Sequence, residues 1–132
     1  MLNMKKLTTK LLNAVKTDYV VEQGTSGIWT YRKWNSGRYE CHAFYNFSSY
    51  AVNTARGSLY SGAWVNVAFP SSAFVASPNV TATLSLDTTA NAVFLQIQNV
   101  SASGTNMRVV SSGSMGASSY AYAHIQVTGK WK

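Results

Sequence analysis

Apolar and polar residues alternate with a period of two along most of the chain after residue 19. In residues 80–86, for example, Val, Ala, Leu and Leu fall on one face and Thr, Thr and Ser on the other. Such alternation is typical of half-buried β-strands, and turns rich in Gly, Ser and Asn separate the segments that show it. The predicted strands are residues 19–22, 28–34, 38–47, 59–69, 80–86, 92–100, 106–111 and 120–127. We therefore predict a mainly β chain whose antiparallel strands form a sandwich or a barrel.

The clearest hairpin signal lies around Gly37, which can adopt the positive φ that a short loop needs. A three-residue loop would pair Arg32 with Glu40, whereas a two-residue turn would pair Lys33 with Glu40. Either register gives Glu40 a cation on the facing strand, which contributes roughly 0.2–1 kcal/mol. We therefore interpret Glu40 as a structural partner in the sheet rather than as a catalytic group.

The first residues follow a helical pattern instead, which predicts a short helix over residues 4–16. Its apolar stripe has the spacing of a heptad repeat and consists of Met4, Leu7, Leu11 and Ala14. A helix of this length is marginal in water, so the stripe needs a partner, either its own domain or further copies of the chain. Lysines at the outward positions favour a helix surrounded by water. We accordingly divide the chain into an N-terminal helical neck, residues 1–17, and a β-sandwich head, residues 18–132.

Charged side chains are scarce, and acidic ones especially so. Only 11% of the 132 residues are charged, and only four are Asp or Glu; a typical soluble domain has about 25% charged residues. Glycoside hydrolysis needs two carboxylates around one bond, and Mg²⁺ and Ca²⁺ sites need several oxygen ligands. The composition therefore argues against carboxylate-based catalysis. We expect a protein that is not an enzyme and that holds no cofactor and no metal ion.

The single cysteine and its neighbour invite a thiol–imidazole interpretation. On a strand, however, Cys41 and His42 point to opposite faces, so His42 cannot activate the thiol. We expect Cys41 to be a buried structural residue. Glu40 and His42 do share a face, and copies of that pair around a threefold axis could bind a metal ion. We favour the other interpretation, a cross-strand ion pair beside a hydrogen-bonded histidine.

The net charge of +7 arises from 11 Lys and Arg residues against the four acids. Four of these cations lie in the N-terminal segment and the rest are dispersed, although Arg32, Lys33 and Arg38 could form a modest patch on an exposed hairpin. Phosphate binding needs clustered cations, so nucleic acid is not an expected partner. No apolar stretch follows the first lysines, so we expect neither a signal peptide nor a membrane span.

Two segments rich in Ser, Gly, Asn and Tyr, residues 48–58 and 111–119, are suited to hydrogen bonding with a ligand. Ligand sites combine apolar or aromatic surface with a few placed polar groups, and a sugar requires both. The candidate ligand-binding residues are Tyr50, Arg56, Tyr60, Trp64 and Tyr120. The competing interpretation is that the same aromatic residues belong to the core or to a subunit interface.

Three segments, taken together, resemble one protein family. They are residues 18–37 (DYVVEQGTSGIWTYRKWNSG) continuing to Glu40 and Cys41, residues 65–70 (VNVAFP) with Phe74 and residues 78–80 (PNV), and residues 124–132 (HIQVTGKWK). This set resembles the C-terminal head domain of tail-fibre and baseplate (receptor-binding) proteins from phages and prophages of Gram-positive bacteria. The second segment is also similar to H-type lectins. One departure follows Cys41, where family members often have Trp-Gly and this chain has His-Ala-Phe.

The resemblance implies an antiparallel β-sandwich head, H-type-lectin-like or fibre-head-like, that is usually trimeric and belongs to a virion tail assembled in the bacterial cytoplasm. It implies three kinds of partner: further copies of the chain, other tail proteins, and a host-surface polysaccharide or teichoic-acid-like polymer. The resulting hypothesis is a homotrimeric module that binds a host-surface glycan without catalysis. The alternative is a purely architectural virion protein, such as a decoration or a fibre-tip cap, with no ligand of its own.

Overall fold

Ten β-strands make up most of the chain that the structure describes. The structure is a computed structural model and describes residues 17–86, 91–117 and 121–132. The strands are β1 (Val20–Ser26), β2 (Trp29–Trp34), β3 (Arg38–Phe47), β4 (Thr54–Arg56), β5 (Leu59–Ser61), β6 (Val65–Ala68), β7 (Asn79–Leu86), β8 (Val93–Gln98), β9 (Gly104–Ser111) and β10 (Ala121–Lys130). Within these ranges there is no helix that could cross a membrane. The helix predicted over residues 4–16, with Met4, Leu7, Leu11 and Ala14, lies outside the described residues.

The first sheet has the strand order β1-β2-β3-β10-β7, and every neighbouring pair is antiparallel. Its two longest strands, β3 and β10, pair along their whole lengths, from Phe47 opposite Ala121 to Arg38 opposite Lys130. In the β2–β3 hairpin Arg32 lies opposite Glu40, so the three-residue loop is the correct one of the two registers. Gly37 has a φ of 103°, which confirms its predicted role in that loop.

The second sheet is organised around β9. Strand β8 pairs along one edge of β9, while β5 and β6 pair one after the other along the opposite edge, with β4 beyond β5. The continuous strand predicted over residues 59–69 is therefore wrong, because residues 62–64 leave the ladder between β5 and β6. Strand β4 has no counterpart among the predicted strands.

The side chain of Tyr50 fills the gap between β5 and β6. A Cβ atom on Gly62 would lie 2.2 Å from the Tyr50 Cζ atom, so a side chain at this position would collide with the ring. The Tyr50 hydroxyl donates to the Ala63 carbonyl oxygen at 2.5 Å and accepts the Val109 N–H at 3.3 Å. Tyr50 therefore supplies hydrogen bonds that an uninterrupted ladder would otherwise make, as buried backbone groups require.

The two sheets face one another across one hydrophobic core, and this arrangement confirms the predicted mainly β, antiparallel, sandwich-like fold. The core takes buried residues from the inner faces of both sheets and from the connection after β6. Its largest members are Trp29, Tyr39, Phe47, Phe69, Phe74, Met107 and Ile125. The Trp29 indole N–H donates to the Ala68 carbonyl oxygen at 2.8 Å, which satisfies the donor and links the two sheets.

Candidate functional site

The candidate residues chosen from the sequence do not form one cluster. Trp64 lies beside the outer face of the second sheet, where the Arg108 guanidinium carbon is 4.3 Å from the centre of its ring. Arg56 lies on the same face and donates from Nε to Ser61 Oγ at 3.3 Å. Tyr60 is half-buried and packs against the core. Tyr50 fills the gap between β5 and β6 and donates to the Ala63 carbonyl oxygen. Tyr120 lies outside the described residues.

The Cys41 thiol is enclosed in the core, as the sequence predicts. It is 4% exposed, and burial raises its pKa to about 12, so the thiol is protonated at neutral pH. His42 projects from the opposite face of β3 and does not reach it. Among the described residues no three His, Cys, Asp or Glu side chains come together in a group that could hold a metal ion.

A polar groove of about 400 Å³ runs over the outer face of the first sheet, between β2, β3 and β10. The period-two alternation of the three strands turns its outward side chains towards solvent. They are Thr30, Arg32, Glu40, His42, Gln126 and Thr128, and we call this surface the first-sheet groove. The strand register places His42 between Thr30 and Gln126, and Glu40 between Arg32 and Thr128.

Most polar side chains of the groove have no partner within the described part of the chain. This holds for Thr30, Arg32, His42, Gln126 and Thr128, all of which are exposed. Glu40 is the exception, because its Oε1 atom accepts the Trp34 indole N–H at 3.3 Å. The groove therefore presents unused hydrogen-bonding groups to solvent.

The ion pair expected at Glu40 is not formed, although the register that should produce it is present. Across the described residues the one ion pair within 4.0 Å joins Lys33 Nζ to Glu22 Oε2, at 3.8 Å. Lys33 points away from the groove, and its Nζ atom lies 4.2 Å from the centre of the Trp131 ring. The cations of the predicted hairpin patch are thus divided, with Arg32 and Arg38 on the outer face and Lys33 on the inner one.

Three rings continue the groove along β3 and β10, and we call Phe44, Tyr122 and His124 the aromatic shelf. Phe44 is 51% exposed and stacks on Tyr122, with ring centres 4.9 Å apart. His124 meets the Phe44 ring edge-on at 4.6 Å and shares a hydrogen bond of 3.0 Å with Ser85 Oγ. An exposed, fixed aromatic surface therefore adjoins a row of unpaired polar groups.

Sequence reasoning found one part of this site and missed the other. The alternation of residues 38–47 places Glu40 and His42 on one face, and it extends to Phe44 by the same rule. Tyr122 and His124 join them only because β10 pairs with β3, and no local pattern in the sequence reveals that pairing.

The fold and this surface define the class of the protein: a two-sheet antiparallel β-sandwich with a polar groove on one outer face. An N-truncated R1-type pyocin tail fibre has a similar structure, with a TM-score of 0.56 over 92% of this chain and 94% of that chain, at 16% sequence identity. A C-terminal part of the P. aeruginosa R1 pyocin fibre matches with a TM-score of 0.49 over 89% of this chain and 30% of that chain, at 18% identity. No protein-family profile and no curated protein matches the sequence. At these identities the likeness is one of fold.

Proposed function

We propose that this chain is a module of a phage tail fibre or baseplate that binds a host-surface glycan as a homotrimer, without catalysis. The likeness of its fold to a pyocin tail fibre supports the tail-fibre assignment. The observation that carries the binding role is the pairing of the aromatic shelf with the first-sheet groove.

A sugar offers a weakly polar C–H face and several hydroxyl groups, and this surface has a counterpart for each. The exposed Phe44 ring, held by Tyr122, can cover the C–H face. The unpaired side chains of His42 and Gln126 lie next along the strands and can bond the hydroxyls. Because these side chains make no hydrogen bonds within the described residues, a ligand displaces only water from them.

The outer face of the second sheet is a less favourable site. The Trp64 ring is already covered by Arg108, which also donates from Nε to Gln96 Oε1 at 2.7 Å. Asn66 likewise donates to Asn106 at 3.2 Å. A ligand would have to break these contacts before making its own, so we place the glycan on the first sheet. Trp64 and Arg56 accordingly lie outside the surface that we propose for the ligand.

The trimer would form through the predicted neck. The heptad residues Met4, Leu7, Leu11 and Ala14 would pair around a threefold axis, and three heads would strengthen weak binding through multivalency. Light scattering on the full chain and on a Leu7→Asp/Leu11→Asp variant tests this. We expect a trimer for the first protein and a monomer for the second; a monomer for both contradicts the neck.

The alternative function is a purely architectural one within the virion. The exposed Phe44 ring would then pack on another tail protein rather than on a sugar. The two functions share a surface and differ in its occupant, so one experiment separates them.

That experiment compares two phenylalanines of equal exposure on opposite outer faces. Phe44 is 51% exposed on the first sheet and Phe94 is 50% exposed on the second. The full chain, Phe44→Ala and Phe94→Ala would be applied to a glycan array and to a panel of bacterial cells. We expect Phe44→Ala to weaken binding at least tenfold, and Phe94→Ala to leave it within about twofold; tenfold corresponds to about 1.4 kcal/mol. Absence of binding by the unmodified chain would favour the architectural role.

A further inference from the structure

Three cations lie at the end of the first-sheet groove on the same outer face, and one of them, Arg32, also lines the groove. Arg38 on β3 lies directly opposite Lys130 on β10, and Arg32 on β2 lies opposite Glu40, two residues from Arg38 along β3. Like charges placed directly opposite on neighbouring strands repel one another. A bound anion would relieve that repulsion.

The acidic side chains near this end accept hydrogen bonds from other groups, and the pKa of Asp18 is lowered by its hydrogen bonds from Ser36 and, less strongly, by the charge of Arg38. Asp18 accepts from the Ser36 backbone N–H at 2.9 Å and from the Ser36 hydroxyl at 2.6 Å. Glu22 accepts the Tyr31 hydroxyl at 2.7 Å and pairs with Lys33. Glu40 accepts the Trp34 indole. None of the three acids forms an ion pair within 4.0 Å with a cation of the outer face, so Asp18 and Glu40 offset the positive charge of this end only in part.

One of these cations is also held in place. The Arg38 guanidinium carbon lies 4.3 Å from the centre of the Trp34 ring, a cation–π contact that favours this position of the side chain. A guanidinium fixed in this way loses less side-chain entropy when it binds a carboxylate or a phosphate in a bidentate manner.

The distance between the cations and the aromatic shelf sets the size of the ligand. Arg38 and Phe44 are six residues apart on β3, which corresponds to about 20 Å at roughly 3.3 Å per residue. A single sugar cannot span this length, whereas a polymer can.

We infer that the ligand is an anionic polysaccharide lying along β3 and β10, with its sugar faces on the aromatic shelf and its negative groups at Arg32, Arg38 and Lys130. This inference rests on the proposed function and adds the residues that would hold the negative groups and the direction in which the polymer lies. A DNA duplex fits less well, because its charges recur every 1.7 Å or so and would face Glu40 and the neutral middle of the groove.

Two double variants with the same change in net charge test the inference. Arg38→Gln/Lys130→Gln removes two charges from the cationic end, and Arg56→Gln/Arg108→Gln removes two from the outer face of the second sheet. The probes are polygalacturonate as a carboxylate polymer, a purified teichoic acid as a phosphodiester polymer, neutral dextran and duplex DNA. The association constants of the unmodified chain and of both double variants would be measured over a tenfold range of salt concentration.

For the unmodified chain we expect the charged polymers to bind about 100-fold more weakly at the high-salt end. This figure assumes three contacts, each of which releases about 0.7 of a counterion. The Arg38/Lys130 variant, with one contact left, should lose only about fivefold over the same range, while the Arg56/Arg108 variant should behave like the unmodified chain. The two charged polymers would show which negative group is preferred.

The remaining outcomes distinguish a failure of this inference from a failure of the proposed function. Binding to dextran that equals binding to the charged polymers and does not change with salt would overturn the inference and leave the proposed function intact. Equal losses in both double variants, or tighter binding to DNA than to any polysaccharide, would also overturn it. Binding to no polymer and to no cells would count against the proposed function itself.

Discussion

Replacing Tyr50 with Phe removes one oxygen atom and leaves the ring that packs on Gly62 in place. The lost hydroxyl serves two backbone groups, the Ala63 carbonyl and the Val109 N–H. Ala63 is exposed, so its carbonyl can bond water instead. Val109 is fully buried, at 0% exposure, so its N–H would be left without an acceptor. A buried donor without a partner costs about 1–3 kcal/mol, and we expect Tyr50→Phe to destabilise the head by about 2 kcal/mol.

The assay is thermal and urea unfolding followed by circular dichroism. A loss of about 2 kcal/mol should lower Tm by roughly 6–12 °C in a domain of this size. Tyr45→Phe is the matched control, because Tyr45 is half-buried and its hydroxyl has no partner among the described residues. That variant should stay within about 0.5 kcal/mol of the unmodified chain. Equal stabilities for the two variants would refute the role assigned to the Tyr50 hydroxyl.

Two further predictions concern the same core. Gly62→Ala should lower the free energy of unfolding in urea by about 1–3 kcal/mol, because the new Cβ atom would overlap the Tyr50 ring. Gly116→Ala is the control and should leave that free energy unchanged, because the space around Gly116 is open. Equal effects of the two substitutions would show that the Tyr50 ring moves aside. Burial raises the pKa of Cys41 from its ordinary value near 9 to about 12. Because the unfolded chain loses the thiol proton at a lower pH than the folded chain does, the stability of the fold should fall as the pH rises from 9 towards 12. A Cys41→Ala variant should show a shallower decline, and the native thiol should not react with a disulfide reagent at pH 8 until urea is added; a fast reaction without urea would contradict the burial argument.

Local sequence patterns predicted those parts of the fold that depend on neighbouring residues. Strand β3 has the predicted bounds, and β7 begins one residue earlier than predicted. The loop at Gly37 follows from the conformational freedom of glycine. The break between β5 and β6 has a distant cause, since the ring that enforces it belongs to Tyr50. No pattern within residues 59–69 signals that interruption.

The candidate site also combines residues that local sequence patterns place together with residues that only the pairing of distant strands brings in. His42 and Phe44 share a face by alternation alone, which any strand assignment gives. The shelf is completed by Tyr122 and His124, about 80 residues away in sequence, through the ladder between β3 and β10. At Glu40 the difference from the expected ion pair is local, because the Trp34 indole N–H of the same hairpin donates to Oε1 of its carboxylate at 3.3 Å.

The composition of residues 48–58 favoured a loop as the ligand site, and the structure gives a physical reason to prefer the sheet. Tyr50, the aromatic residue of that segment, is already bonded to two backbone groups. His42 and Gln126, by contrast, lie on strands that pair with neighbours on both edges, so their backbones are fixed while their side chains are free. Weak contacts to a sugar contribute most to affinity when binding orders few groups of the protein, because each group that becomes ordered costs free energy. The paired central strands of the first sheet provide that condition, and the unpaired polar side chains on them provide the contacts.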